Sequence, residues 1–268
     1  MEMVNCDLHF HAGRHGRGNF DDIVRIGCER LGRGGILGLV NCDDYRYENI
    51  VDGKGRSIES YEIGDLLNGV WVPEHDFYVV RGQEVFSESG HFLVFGFPKR
   101  TNIESKQLYF ALEVCRDSSH FKGLDHKDYK SGMRRVLGKA LDRNLGYFDF
   151  DETFNASAEL SIGYANATAQ AHYDSVIKDR EFENPLTGES HKIGEVAFTD
   201  AHSLGVIGRS YTRVEALPET CRDDSLLLIS ELKDRLRVAT RKDQVRRPNR
   251  LDAAVHAFHL VVTNKILG

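Results

Sequence analysis

The chain has no cysteine pair at C-x-x-C spacing; Cys6, Cys28, Cys42, Cys115 and Cys221 are scattered and odd in number. That excludes a zinc finger and argues against a disulfide framework, so reduced thiols in a cytosolic protein are expected. Basic charge is not in excess either. The 35 Lys and Arg face 41 Asp and Glu for a formal net charge of -6, and no global field calls for nucleic acid or an anionic membrane. No apolar run reaches the ~18 residues of a membrane-spanning helix, and the start lacks the basic-then-apolar pattern of a secretory signal. The expectation is a cytoplasmic protein without a membrane partner. No internal repeat, low-complexity segment or linker divides the sequence, and 268 residues, 41% of them hydrophobic, suit one α/β domain over 1-268.

Strand-like and helix-like segments alternate along the chain. Met3 to Leu8 reads as a strand, Phe20 to Leu31 as a helix and Gly35 to Val40 as a buried strand. Phe77 to Val80 leads into Gly82 to Val85, and Phe92 to Phe95 follows across the polar turn from Ser87 to Gly90. Helical patterns fall at about 105-116 and 130-143, strands near Tyr147 to Phe150 and Ala158 to Ile162, a helix over Ala165 to Lys178, and a final strand at Val196 to Thr199. The end of the chain, about 223-268, reads as a helical extension. This alternation predicts a parallel sheet closed as a barrel, in which functional side chains collect at the C-terminal strand ends.

Titratable residues stand at nearly all of those ends. His9 and His11 close the first strand, Asp43 and Asp44 the second, Glu84 the third; His91 opens the fourth, and Asp200 and His202 follow the last. Alternate residues of a strand share a face, so His9 and His11 point the same way. Alone, such a pair is either a metal-binding couple or one core and one surface histidine. Imidazoles mixed with carboxylates suit zinc, manganese or iron.

Three stretches, DLHFH at 7-11, GQEVFSESGHFLVFG at 82-96 and FTDAHSLGVIGRSYTRVE at 198-215, resemble the polymerase and histidinol phosphatase (PHP) family in order and spacing, over about 3-216. The resemblance implies a distorted seven-stranded (β/α)7 TIM-like barrel with additional C-terminal helices. It also implies up to three divalent ions (Zn, Mn or Fe) and hydrolysis of phosphate esters in a small molecule or a nucleic acid. By the same resemblance His9, His11, Glu84 and Asp200 would hold or bridge the first metals, His202 and His15 a second, and His91 a third, while Glu159 matches an acidic strand-end position.

The chain also departs from that family. Cys42 occupies the position of an expected metal-binding histidine, which leaves either its thiolate or Asp43 or Asp44 to serve the second site. The family's His-Pro strand end is absent between Gly96 and Ala158, where Tyr147 to Asp151 offers carboxylates instead, and His120 and His126 read as solvated loop residues. Arg14 and Arg17, directly after the histidine pair, and Arg209 are candidate phosphate clamps. The basic stretch Lys233 to Arg250 reads better as the solvated face of an amphipathic helix than as a nucleic-acid patch, because Leu226, Leu227, Ile229, Leu232 and Leu236 recur at helical spacing. The alternative to an enzyme is a metal-poor relative that keeps the fold for binding or assembly.

Overall fold

Strands apolar on both faces need cover on both sides, which a curved sheet wrapped in helices provides. Ile36–Asn41 and Phe150–Asn155, each buried at every position, are strands of that kind. The computed structural model describes residues 2-12, 18-53, 56-104, 106-116, 120-160 and 165-247. In chain order the elements are β1 (Met3–Phe10), α1 (Phe20–Leu31), β2 (Ile36–Asn41), α2 (Arg46–Val51), β3 (Tyr61–Glu62), β4 (Gly69–Val72), β5 (Phe77–Ser87), β6 (Gly90–Phe95), α3 (Leu108–Val114), β7 (Phe121–Leu124), α4 (Met133–Leu137), β8 (Phe150–Asn155), α5 (Ala165–His172), β9 (Phe182–Glu183), β10 (Ser190–His191), β11 (Gly194–Phe198), β12 (Tyr211–Glu215), α6 (Ser225–Arg237) and β13 (Gln244–Val245).

The main sheet runs β11-β8-β7-β6-β5-β2-β1-β12-β13, a nearly closed, barrel-like surface. β1, β2 and β5 are parallel neighbours, as are β7, β8 and β11, while β6 lies antiparallel between β5 and β7. The sheet closes where the chain leaving β11 returns to the end of β1: the His11 N–H donates to the Ala201 carbonyl (2.7 Å) and the Ala201 N–H to that of His9 (3.1 Å). Buried Asp7 fastens the seam by accepting from the Thr199 hydroxyl (2.6 Å) and from the N–H groups of Thr199 (3.1 Å) and Gly208 (3.0 Å).

Inside the sheet, Cys6, Leu8, Ile36, Val40, Val80, Leu93, Phe95, Phe121, Phe150, Val196 and Phe198 pack with Leu228, Ile229, Leu232 and Leu236 of α6. Outside, α1 buries Phe20, Ile23 and Val24 against Phe10, Leu37, Leu39 and Val79. α6 lies so close to β11 that a Cβ built at Gly194 would stand 1.6 Å from the Leu236 carbonyl oxygen. The basic residues of this end are committed to the barrel: Arg235 donates to the Glu215 carbonyl (2.8 Å), Arg237 to Asp149 (2.7 Å) and Arg246 to Glu195 (3.2 Å). The leucines do pack as an amphipathic helix, but α6 ends at Arg237 and these arginines are paired against the barrel instead of forming the expected solvated face; residues 248-268 of the expected extension lie outside the described residues.

Two strand expectations change. Tyr147 to Phe150 and Ala158 to Ile162 give way to the single strand β8, with residues 157-160 in a helical turn, and the short strand β7 was not foreseen. β7 is only four residues long and includes a buried lysine, Lys122, so it has no apolar run to announce it.

Candidate metal centre

The inward face of each strand changes character along its length. In β2 the inward series Ile36, Gly38, Val40 continues to Cys42; in β5 Val80 and Gly82 lead to Glu84; in β11 Val196 and Phe198 lead to Asp200. Apolar groups thus fill one end of the interior and titratable groups the other, as period-two alternation dictates. β1 departs from this rhythm usefully. Its register against β2 shifts between Asp7 and Phe10, a bulge that lets His9 and His11 follow Leu8 inward while Phe10 turns out to α1.

The side chains converge. Nε2 of His9 lies 3.1 Å from Nε2 of His11 and 3.6 Å from Oδ1 of Asp200, and that oxygen is 3.3 Å from Nε2 of His11. Glu84 reaches both sides of the centre. Its Oε2 is 3.4 Å from His11 Nε2 and 4.0 Å from Cys42 Sγ, while its Oε1 accepts from His91 Nδ1–H (2.9 Å) and His126 Nε2–H (3.2 Å). Three groups bring ligand atoms within 4.8 Å of one another: His9, His11 and Asp200; His11, Cys42 and Glu84; and His9, Glu84, Asp125 and His126.

Buried polar atoms without partners mark where positive charge is missing. Asp125 is fully buried, and neither of its oxygens accepts a hydrogen bond; Oδ1 of Asp200 and Nδ1 of His126 are likewise unpartnered. Such groups cost free energy unless a proton, donor or cation answers them. Burial pushes the Asp125 carboxyl up to about 7, against the pull of His126. Burial also opposes protonation of His9, yet Asp200, Glu152 and Glu84 together raise it to about 10. Against burial, the facing histidines hold the carboxyls well below the usual range, His126, His91 and His11 for Glu84 and His9, His11 and His202 for Asp200, while Asp125 and Glu84 lift His126. These clusters could hold divalent ions, which would replace those protons. The donor set of imidazoles, carboxylates and one thiol fits such ions.

Outer partners hold these ligands in place. Nδ1–H of His9 donates to Glu152 (3.3 Å), which turns Nε2 toward the centre; Glu152 also accepts from the His126 N–H (2.9 Å) and from Asn155 Nδ2 (3.0 Å). Asn155 reaches Asp200 Oδ2 at 3.4 Å. Asp200 itself has φ of +50°, a left-handed conformation that short polar side chains tolerate best.

Of the residues singled out in the sequence, the structure brings His9, His11, Glu84, His91 and Asp200 together. His202 stands at the mouth, its ring stacked 4.5 Å from that of His11 and its Nδ1–H donating to the Asp200 carbonyl (3.0 Å). Asp43 is not brought in: it is exposed, one step out of phase with the inward series, and Cys42 takes the place beside His11, with Sγ 3.4 Å from Nδ1. Arg209 folds back onto the Gly205 carbonyl (3.0 Å). Arg14, His15, Arg17 and the side chain of Glu159 lie outside the described residues. Against expectation His126 is a buried member of the cluster, because β7 delivers Asp125 and His126 to the rim where the His-Pro end was missed; His120 stacks on Phe97 at 4.1 Å. Asp125, Glu152 and Asn155 were missed too. Alternation within FDETFN at 150-155 sets Glu152 in phase with inward Phe150, whereas Asn155 is out of that phase and the register against β11 slips between them.

No protein-family model matches the chain, and no curated protein matches it. Several solved structures share its fold. It is similar to the novel lesion-specific endonuclease PfuEndoQ from Pyrococcus furiosus over 88% of its own length, at 16% identity and a TM-score of 0.50. The chain covers 56% of that endonuclease, little more than half its length. It is also similar to PsfC from Pseudomonas syringae PB-5123, over 99% of its own length and 100% of that chain, at 14% identity and a TM-score of 0.60. At these identities the likeness is one of fold. Among the described residues no helix is long and apolar enough to cross a membrane.

Proposed function

We propose that the chain is a metal-dependent phosphoesterase of the PHP kind, with β1, β2, β5, β6, β7, β8 and β11 as the seven staves of a distorted barrel. One observation carries this reading: ligand-type side chains from at least six strand ends point into one buried cluster in which both Asp125 oxygens and Oδ1 of Asp200 have no hydrogen-bond donor. His11, Asp200 and Glu84 would hold one ion, and His9, Glu84, Asp125 and His126 a second, with His91 beside it on Glu84. His15 and His202 would add to a third. Zinc, manganese and iron all suit these donors. Bound ions would neutralise a phosphate and make a coordinated water nucleophilic at neutral pH.

The chain's own groups do the rest. Glu152 and Asn155 fix the orientation of His9 and Asp200, so that the ligand atoms need little reorganisation when substrate arrives. His202, its side chain one-quarter exposed at the mouth, is oriented by its Nδ1–H on the Asp200 carbonyl, which leaves Nε2 for that third ion. Arg14 and Arg17 would clamp the non-reacting phosphate oxygens, and Arg209 would assist after turning from Gly205. The likeness to an endonuclease favours a phosphodiester of nucleic acid over a small phosphomonoester.

The test is a hydrolysis screen with manganese or zinc, using bis(p-nitrophenyl) phosphate, p-nitrophenyl phosphate and a single-stranded oligonucleotide. Turnover that requires the ion and is greatest on a diester is the expected result. A protein that binds metal stoichiometrically yet turns over none of the three probes would instead be a binding or assembly protein on this fold.

A further inference from the structure

The two sides of the centre differ in hardness. Glu84 presents one oxygen to each. Its Oε2 faces His11 and Cys42, and its Oε1 faces His91 and His126, beside which the unpartnered carboxylate of Asp125 is buried. The first side therefore adds a sulfur to the shared carboxylate, and the second adds an oxygen. At the end of β2 no oxygen replaces the sulfur, although Asp200 Oδ1 also lies 3.3 Å from His11 Nε2. Asp43 is exposed, and Asp44 is spent on the Cys42 N–H (3.4 Å) and on Arg46 (2.7 Å).

Building on the metal-centre reading above, we propose that the centre is built for two different ions. His11, Cys42 and Glu84 form a thiolate site that selects zinc against manganese and magnesium, and His9, Glu84, Asp125 and His126 form a carboxylate-rich site that accepts the harder ions. A thiolate is a soft, polarisable ligand that suits zinc, whereas manganese and magnesium prefer oxygen. When the ion binds, the Cys42 S–H bond breaks, a metal–sulfur bond forms, and the proton leaves to solvent. The carboxylate that bridges both sites obliges the two ions to respond to each other.

Cobalt(II) reports thiolate ligation without any need for turnover. Metal-stripped wild-type protein titrated with cobalt is expected to develop a near-ultraviolet sulfur-to-cobalt charge-transfer band that is absent from Cys42→Ser, while the visible ligand-field bands persist in both. Zinc should abolish the band at stoichiometric concentration, and manganese or magnesium should not even in ~100-fold excess. Elemental analysis after dialysis against equimolar zinc and manganese should show both ions in wild type, and loss of about one zinc with retention of manganese in Cys42→Ser. Cys42→His should restore an ion there but admit manganese, which separates loss of the thiolate from loss of the fold. The proposal fails if wild type shows no charge-transfer band, if Cys42→Ser keeps it, or if stoichiometric manganese displaces it; Cys42 would then be only the hydrogen-bond partner of His11. Hydrolysis supported by manganese without that band would leave the phosphoesterase reading standing and overturn this one. The band without hydrolysis would do the reverse.

Discussion

Asp200→Ala and His9→Ala are expected to lower metal-dependent hydrolysis by on the order of 1,000-fold or more while the protein stays folded. Each residue supplies an atom to the His9, His11 and Asp200 group, and each is held by a partner behind it: Glu152 for His9, Asn155 for Asp200. Truncation removes a ligand and leaves the remaining ones facing each other without the charge that they were arranged to share. Steady-state rates with saturating manganese, beside far-ultraviolet circular dichroism of both variants, check this. Folded variants with wild-type rates would place the chemistry elsewhere. Because Asp200 occupies a left-handed backbone position that alanine tolerates less well, Asp200→Asn should accompany it and lose activity to a similar degree.

Removal of metal should destabilise the chain in a pH-dependent way. An ion present at 100 times its dissociation constant stabilises the native state by about 2.7 kcal/mol, which for a chain of this size amounts to ~5–10 °C in melting temperature. After chelation, protons must stand in for the ions. The Asp125 carboxyl, pushed up to about 7 by burial, and His9, raised to about 10 by Asp200, Glu152 and Glu84 in spite of burial, both have folded values above their unfolded ones of 3.8 and 6.5. The stability contributed by their protonated forms is therefore complete below the unfolded values. It is lost as pH rises through about 7 for Asp125 and about 10 for His9. Glu84 and Asp200 are depressed, so their contribution disappears only in acid. The chelated protein should melt highest near pH 5–6 and progressively lower toward pH 9. Added manganese or zinc should protect more strongly as pH rises, because fewer protons compete for the ligands. Thermal melts across that range, with and without chelator, provide the measurement; a chelated protein whose melting temperature is flat or rises from pH 6 to 9 would show that the cluster does not depend on bound charge.

Much of this centre was legible in the sequence because strand periodicity is local. The pairing of His9 with His11, the inward position of Glu84 and the placement of Asp200 after an apolar strand follow from alternation and from where apolar runs stop. The distance between His9 Nε2 and Asp200 Oδ1, 3.6 Å across almost the full length of the chain, follows from closing the sheet. Cys42 could have been preferred to Asp43 by the same rule, since Ile36, Gly38, Val40 and Cys42 form one phase and Asp43 falls in the other. What was illegible depends on tertiary context. β7 has four residues and a lysine whose Nζ is buried against the Cys115 carbonyl (3.2 Å), so nothing in the composition of 121-124 distinguishes it from a loop. With that strand unseen, His126 reads as solvated, although its ring sits over that of His9 at 5.8 Å. The bulge in β1, which sends both Leu8 and His9 inward, also lies beyond period-two reasoning.

The central claim is that the rim cluster is a metal centre, and elemental analysis of the folded protein, purified without chelator and dialysed against zinc and manganese, tests it most directly. At least two divalent ions per chain are predicted, one for each oxygen of Glu84, with both reduced in Glu84→Gln because that carboxylate serves both sides. A folded wild-type chain that retains no stoichiometric metal, or one whose metal content is unchanged by Glu84→Gln, would contradict it.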